Sequence, residues 1–122
     1  ALKNEPITVF GDGTQTRTFT YVEDVVRGIL DLVGEPRAVG EIFNIGGEEE
    51  ISINDLARRT VSITGSRSTL CHIPYKDAYQ EGFEDMERRV PDITKVKNLI
   101  GYANTHSIDE ILAKVADYER TR

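Results

Sequence analysis

Apolar residues recur along this chain at two different periods, and the switches between them outline its elements. Ile7-Thr8-Val9-Phe10 is a β-branched and aromatic run stopped by Gly11-Asp12-Gly13, which predicts a strand and a turn. Thr18 to Val22 alternates with strand propensity. The period then lengthens. Val22, Val25, Val26, Ile29, Leu30 and Val33 fall three and four apart, predicting a helix from about Glu23 to Val33 that buries this stripe. Glu23 and Asp24 open it, where the helix dipole favours negative charge. Glu41-Ile42-Phe43-Asn44-Ile45 predicts the next strand, ended by Gly46-Gly47.

Ser52, with Asp55 three residues on, has the form of a capping box with Asp in the acidic place. The helix it opens carries Ile53, Leu56, Ala57, Thr60, Val61 and Thr64 on one face and stops at Gly65. Leu70 to Ile73 predicts a further strand, and a long loop runs from Pro74 to Pro91. Asp92 is placed to cap a short helix bearing Ile93, Val96, Leu99 and Ile100, with Gly101 at its end. Ser107-Ile108-Asp109-Glu110 is a full capping box for a last helix with Ile108, Ile111, Leu112, Val115 and Tyr118 inward. The order predicts an α/β fold: a small parallel β-α-β-α-β unit followed by two C-terminal helices. Ala1 to Pro6 read as the last turn of a helix that begins upstream.

Composition narrows the function classes. The 122 residues suit one small domain, with 39% apolar and 30% charged residues in the balance of a soluble globular chain. Fifteen basic residues against 21 acidic ones leave a net charge of −6, which repels phosphate backbones and argues against nucleic acid as a partner. No apolar run approaches the roughly 20 residues of a membrane span, so no membrane partner is expected. The single Cys71 cannot form an internal disulfide, no metal-ligand spacing appears, and a reducing cytoplasmic setting is expected.

Two motifs could carry anion chemistry. In Gly11-Asp12-Gly13-Thr14-Gln15-Thr16-Arg17 a tight turn brings backbone N–H groups together, and Arg17 adds a planar, permanently charged donor fork. In Glu84-Asp85-Met86-Glu87-Arg88-Arg89-Val90-Pro91-Asp92, Arg89, braced by Pro91 and the Asp92 cap, is expected to point into a cleft as an anion clamp. Each alone is more often a turn or a solvated charged loop; two arginines from distant loops on one diphosphate would suit a nucleotide-sugar. Asn44, an amide inside an apolar strand, is open to a structural or a ligand-facing role. Tyr79 and Phe83 in the long loop could cover a bound ring or anchor the loop. Cys71 reads as a small core residue. His72 and His106 have no carboxylate or nucleophile at a telling spacing.

The run from Pro6 to Asp24, with Phe43-Asn44-Ile45-Gly46-Gly47, Ser52-Ile53-Asn54-Asp55-Leu56-Ala57 and Arg89-Val90-Pro91-Asp92-Ile93-Thr94-Lys95 in the same order, resembles the extended short-chain dehydrogenases/reductases. These are the NAD-dependent nucleotide-sugar epimerases, dehydratases and decarboxylases, isomerases and lyases of Rossmann type. The resemblance implies that residues 1–122 form a single C-terminal substrate-binding lobe, with the N-terminal NAD-binding domain absent. It implies a nucleoside-diphosphate sugar as ligand, with Val9 and Phe10 against the base, Arg17 and Arg89 on the diphosphate, and Asn44 on ribose or phosphate. Gln15 from the same turn and Phe83 from the loop complete the candidate substrate-binding set.

The stretch from Gly82 to Arg89 is also similar to the corresponding loop of bacterial UDP-glucuronate decarboxylases, where an arginine at the Arg89 position is implicated near the sugar carboxylate. A decarboxylase lobe is therefore an alternative, and a non-catalytic nucleotide-binding or scaffolding domain is another. The family's Gly-x-x-Gly-x-x-Gly turn and its Tyr-x-x-x-Lys catalytic pair are both missing from this sequence. No catalytic residue and no cofactor are therefore expected on this chain alone; NAD belongs to the intact parent, which the resemblance implies is a homodimer.

Overall fold

The computed structural model describes residues 1–78 and 86–122, which cluster into two units. The first comprises Ala1–Arg17, Ile51–Arg89 and Leu112–Arg122; the second comprises Thr18–Glu50 and Val90–Ile111. Strands, helices and parallel pairing are all present, so the fold is α/β. None of the helices in the described residues is long and apolar enough to cross a membrane.

In the first unit β1 (Ile7–Phe10) runs parallel to β4 (Leu70–Ile73), with Ile7 opposite Leu70 and Phe10 opposite Ile73. Helix α2 (Ile53–Thr64) packs on β1. Val9, Ile51, Ala57 and Ala116 form the buried set. A second ribbon has the strand order β3-β2-β5, from Glu50–Ser52, Thr16–Thr18 and Arg88–Arg89. Within the predicted loop a short helix α3 (Tyr75–Ala78) also forms. Helix α5 (Ile108–Thr121) has its first turn in the second unit and the rest in the first. Its capping box is complete: the Ser107 N–H donates to Glu110 Oε2 (2.8 Å) and the Glu110 N–H to Ser107 Oγ (3.3 Å). Val115, expected inward, is half exposed because it lines a groove of about 550 Å³ with Leu2, Ile63 and Leu112. Tyr118 is exposed as well.

The second unit is built on α1 (Val22–Val33), the Pro36–Ala38 turn and α4 (Thr94–Ile100). Ile93, Val96 and Tyr102 form its core, with Leu32, Phe43, Ile45 and Ile100 packed around them. Here the periodicity misleads. The stripe expected to be buried is exposed at Val22, Val26, Ile29, Leu30 and Val33, and the buried positions of α1 are Asp24 and Gly28. The Tyr102 ring lies so close to Gly28 that a methyl group there would press into it.

Asp24 is wholly buried, and its carboxylate is fully engaged. It accepts from the Thr105 N–H (3.1 Å) and hydroxyl (2.6 Å) and from Arg27 Nη1 (2.8 Å), and His106 Nδ1 lies 3.2 Å away. Burial pushes this carboxyl up, but the hydrogen bonds from Thr105, His106 and Arg27 outweigh it and hold the group down at about 2. The face of α1 that is buried is thus the one that carries Asp24 and Gly28.

The predicted strand over residues 41–45 joins no ladder; the third strand is Glu50–Ser52 instead. A strand needs a neighbour for its backbone groups, and among the described residues none is offered to this segment. Lys95 from α4 holds it by side-chain contacts, donating to Glu41 Oε2 (2.7 Å) and the Ile42 carbonyl (2.9 Å) and lying 4.6 Å over the Phe43 ring. Strand β2 likewise ends at Thr18, and Tyr21 begins the helix where the alternation predicted strand to continue.

Since Asp24 ionises lower in the folded chain than in the unfolded one, its contribution is complete above the ordinary value of 3.8 and is lost as the pH falls toward about 2. Urea denaturation across that window should show a loss of roughly 2 kcal/mol that is missing from Asp24→Asn. Leu30→Lys and Val33→Lys should stay within about 0.5 kcal/mol of the parent chain in the same assay, because both side chains already face water.

Candidate functional site

Strand β1 delivers the chain to a turn that reverses it into β2. Gly11 and Gly13 both take left-handed backbone angles, φ +73° and +74°. Between them the Asp12 carboxylate accepts from the Thr14 N–H (2.9 Å) and hydroxyl (2.6 Å), the local closure common to Asp turns. Those bonds from Thr14 hold the Asp12 carboxyl below its usual range.

The carbonyls of this turn point at the start of α2. The Ile53 N–H donates to the Gln15 carbonyl (3.1 Å) and the Asn54 N–H to the Gly13 carbonyl (2.9 Å). The Asn54 side-chain amide adds a bond to the Asp12 carbonyl (2.8 Å). Ser52 Oγ accepts from the Asp55 N–H (3.0 Å) and donates to the Asp55 carboxylate (2.9 Å). On the other side Gln15 Nε2 donates to the Phe10 carbonyl (3.0 Å) and to the Tyr75 hydroxyl (2.8 Å). The turn is clamped from both flanks.

What leaves this clamp is Arg17. It is half-buried on β2, with Nη1 donating to the Thr16 carbonyl (2.7 Å). Strand β5 lies parallel to β2 in a register that sets Arg17 opposite Arg89 and Thr16 opposite Arg88. Directly opposed residues on strands about 4.8 Å apart project from the same face. Arg17 and Arg89, 72 positions apart in sequence, thus share one side of the ribbon, and Arg88 takes the other. Like charges directly opposed on a sheet repel, and an anion on that face would offset the repulsion.

The other expected site residues are placed differently. Val9 is 1% exposed, so its side chain belongs to the core and cannot lie against a base; a contact there would use its backbone. Phe10 is 39% exposed and keeps an accessible ring. Gln15 spends both N–H groups inside the protein, which makes it a brace of the turn. Asn44 belongs to the second unit, where it is exposed and its amide donates to the Asp92 carbonyl (3.2 Å), so it is not the buried amide of a strand. Phe83, with Tyr79, lies outside the described residues. Cys71 is exposed on β4 and is not a core residue. Sequence reasoning overlooked Asn54 and Tyr75. Both were visible as polar residues near element starts, but their partners lie 42 and 60 positions away.

Residues 1–46 match the profile of the NAD dependent epimerase/dehydratase family. Over 98% of its length the chain is 38% identical to the UDP-N-acetyl-alpha-D-glucosaminuronate decarboxylase of Bacillus cytotoxicus, of which it spans 37%. Over nearly its whole length the chain is thus similar to NAD dependent epimerases/dehydratases and to UDP-sugar decarboxylases. It is also 36% identical to UDP-glucuronic acid decarboxylase 1 of Danio rerio over 97% of its length, spanning 26% of that protein. The UDP-glucuronic acid 4-epimerase of Bacillus cereus, solved with UDP-glucuronic acid and NAD, superposes with a TM-score of 0.85 at 33% identity, covering 98% of this chain and 37% of the other. The chain thus spans about a third or less of these relatives.

The likeness to NAD dependent epimerases raises the question of NAD. A dinucleotide turn passes from a strand into a helix whose N–H groups meet the pyrophosphate. The Gly11–Gly13 turn passes from β1 into strand β2, and the nearby α2 N–H groups are bonded to its own carbonyls. It therefore lacks the strand-to-helix geometry of a dinucleotide turn.

A Cβ at Gly13 would collide with the Asn54 amide and would sit on a left-handed backbone. Gly13→Ala should therefore destabilise the chain by roughly 2 kcal/mol or more, read by chemical denaturation.

Proposed function

We propose that this chain is the substrate-gripping lobe of an NAD-dependent nucleotide-sugar epimerase or dehydratase, and that Arg17 and Arg89 together hold the diphosphate of a nucleoside-diphosphate sugar. The register that sets these two arginines opposite one another carries the reading. A diphosphate offers several acceptor oxygens, and two guanidinium forks on one face meet them with charge-assisted bonds. Phe10, exposed at the end of β1 just before the glycine turn, supplies a ring for the base. The lobe holds the nucleotide and thereby presents the sugar; hydride removal and return fall to a partner domain that carries NAD. A cytoplasmic setting and a homodimeric parent belong to the same proposal.

A second reading, decarboxylation, is favoured by the relatives themselves. Two act by name as decarboxylases of UDP-linked uronic acids, and the superposed epimerase holds a UDP-linked uronic acid. A carboxylated sugar is thus the substrate class best supported. Mixing the full-length protein with UDP-glucuronate and NAD and measuring carbon dioxide separates the two outcomes: release identifies a decarboxylase, and a new uronic acid epimer without gas identifies an epimerase.

Arg17→Ala and Arg89→Ala should each weaken nucleotide-sugar binding by roughly 1.5–3 kcal/mol, the scale of a charged hydrogen bond lost from a desolvated partner. Calorimetry on the full-length protein reads this directly. Unchanged affinity in both variants would overturn the assignment.

A further inference from the structure

The start of a helix is a common anion site because its first N–H groups lack partners. In α2 those groups are committed to the protein. Ile53 and Asn54 donate to the carbonyls of Gln15 and Gly13, and Asp55 donates to Ser52 Oγ. The positive end of this helix is therefore spent on holding the turn that precedes Arg17, and Asn54 is the residue that binds the turn twice.

Its side chain has only one workable orientation. Asn54 Nδ2 donates to the Asp12 carbonyl, which leaves Oδ1 as an acceptor facing His72 Nε2 at 2.8 Å. His72 must then carry a proton on Nε2, since neither atom could otherwise donate. A continuous chain of bonds results, from His72 on β4 through Asn54 to the backbone of Asp12 and Gly13. Gly13 is buried beneath this amide, so the turn cannot shift without breaking it.

From this arrangement we infer that Asn54 is a positioning residue for the arginine pair. By fixing the turn, it keeps β2 in the register that sets Arg17 opposite Arg89. The inference rests on the diphosphate clamp proposed above for its functional meaning, but not for its structural content. Asn54 touches no ligand in this scheme; it acts through Arg17.

The test has two arms on the full 122-residue chain. In the first, amide hydrogen exchange is followed by NMR for Thr16, whose N–H donates to the Glu87 carbonyl (2.8 Å) and so reports the pairing of β2 with β5. Asn54→Ala should speed exchange at Thr16 roughly three- to tenfold, while Ile7, bonded to the Thr69 carbonyl at the far end of β1, stays unchanged. Asn54→Asp keeps the acceptor for His72 but loses the donor to Asp12, and should behave alike; it serves if the alanine variant does not fold. In the second arm UDP is titrated into the parent chain, Asn54→Ala, Arg17→Ala and the double variant. Asn54→Ala should weaken UDP roughly three- to tenfold in the parent background and have no further effect once Arg17 is gone.

Unchanged Thr16 exchange in both variants overturns the inference, as does an equal loss of UDP affinity in both backgrounds. If Arg17→Ala alone leaves UDP affinity intact, the clamp reading falls, and the exchange arm still decides the role of Asn54.

Discussion

The arrangement of the first unit depends on one exchange of hydrogen bonds, in which the unpaired N–H groups at the start of α2 meet the unpaired carbonyls of the Gly11–Gln15 turn. Each partner would otherwise need water or a ligand: the helix start has donors without acceptors, and the glycine turn has the reverse. Joining them removes both deficits. It also explains the composition of the turn, because the helix can approach closely only where side chains are absent and the backbone can turn left-handed. Everything downstream, from the direction of β2 to the face on which Arg17 emerges, follows from that docking.

The arginine pair differs in kind, because the register sets two like charges opposite one another. Opposed cations on neighbouring strands repel, and the fold accepts this because the pairing is set elsewhere, by the clamped turn and by the backbone bond from Thr16 to Glu87. Charge held in place by a well-bonded support is what anion recognition requires.

The second unit solves a comparable problem with a buried charge. Asp24 gives up its hydration, and donors from Thr105, Arg27 and His106 take the place of water on the buried face of helix α1. Two of the motif stretches of the sequence also meet there, as the Asn44 amide bonds the Asp92 carbonyl and Gly46 lies against the Pro91 ring. In the first unit the remaining two meet in the same way, the glycine turn against Ser52–Asp55. The motifs recognisable in sequence thus include surfaces that pack against one another.

Local signals along the chain determined the parts whose causes are local: β1 and β4 from β-branched runs, α2 from Ser52 to Gly65, the Ser107–Glu110 box, and the candidacy of Arg17 and Arg89 from charge beside a constrained turn. Only tertiary structure decided which face of α1 is buried, that Val9 is core while Gln15 is a brace, that residues 41–45 form no strand, and that Arg17 stands opposite Arg89. Periodicity records that an apolar face or a strand-forming stretch exists, but a face is buried and a strand is formed only when a partner is present to cover or pair it. Such partners lie tens of residues away, and a polar side chain at position 24 or 54 acquires its role from them alone.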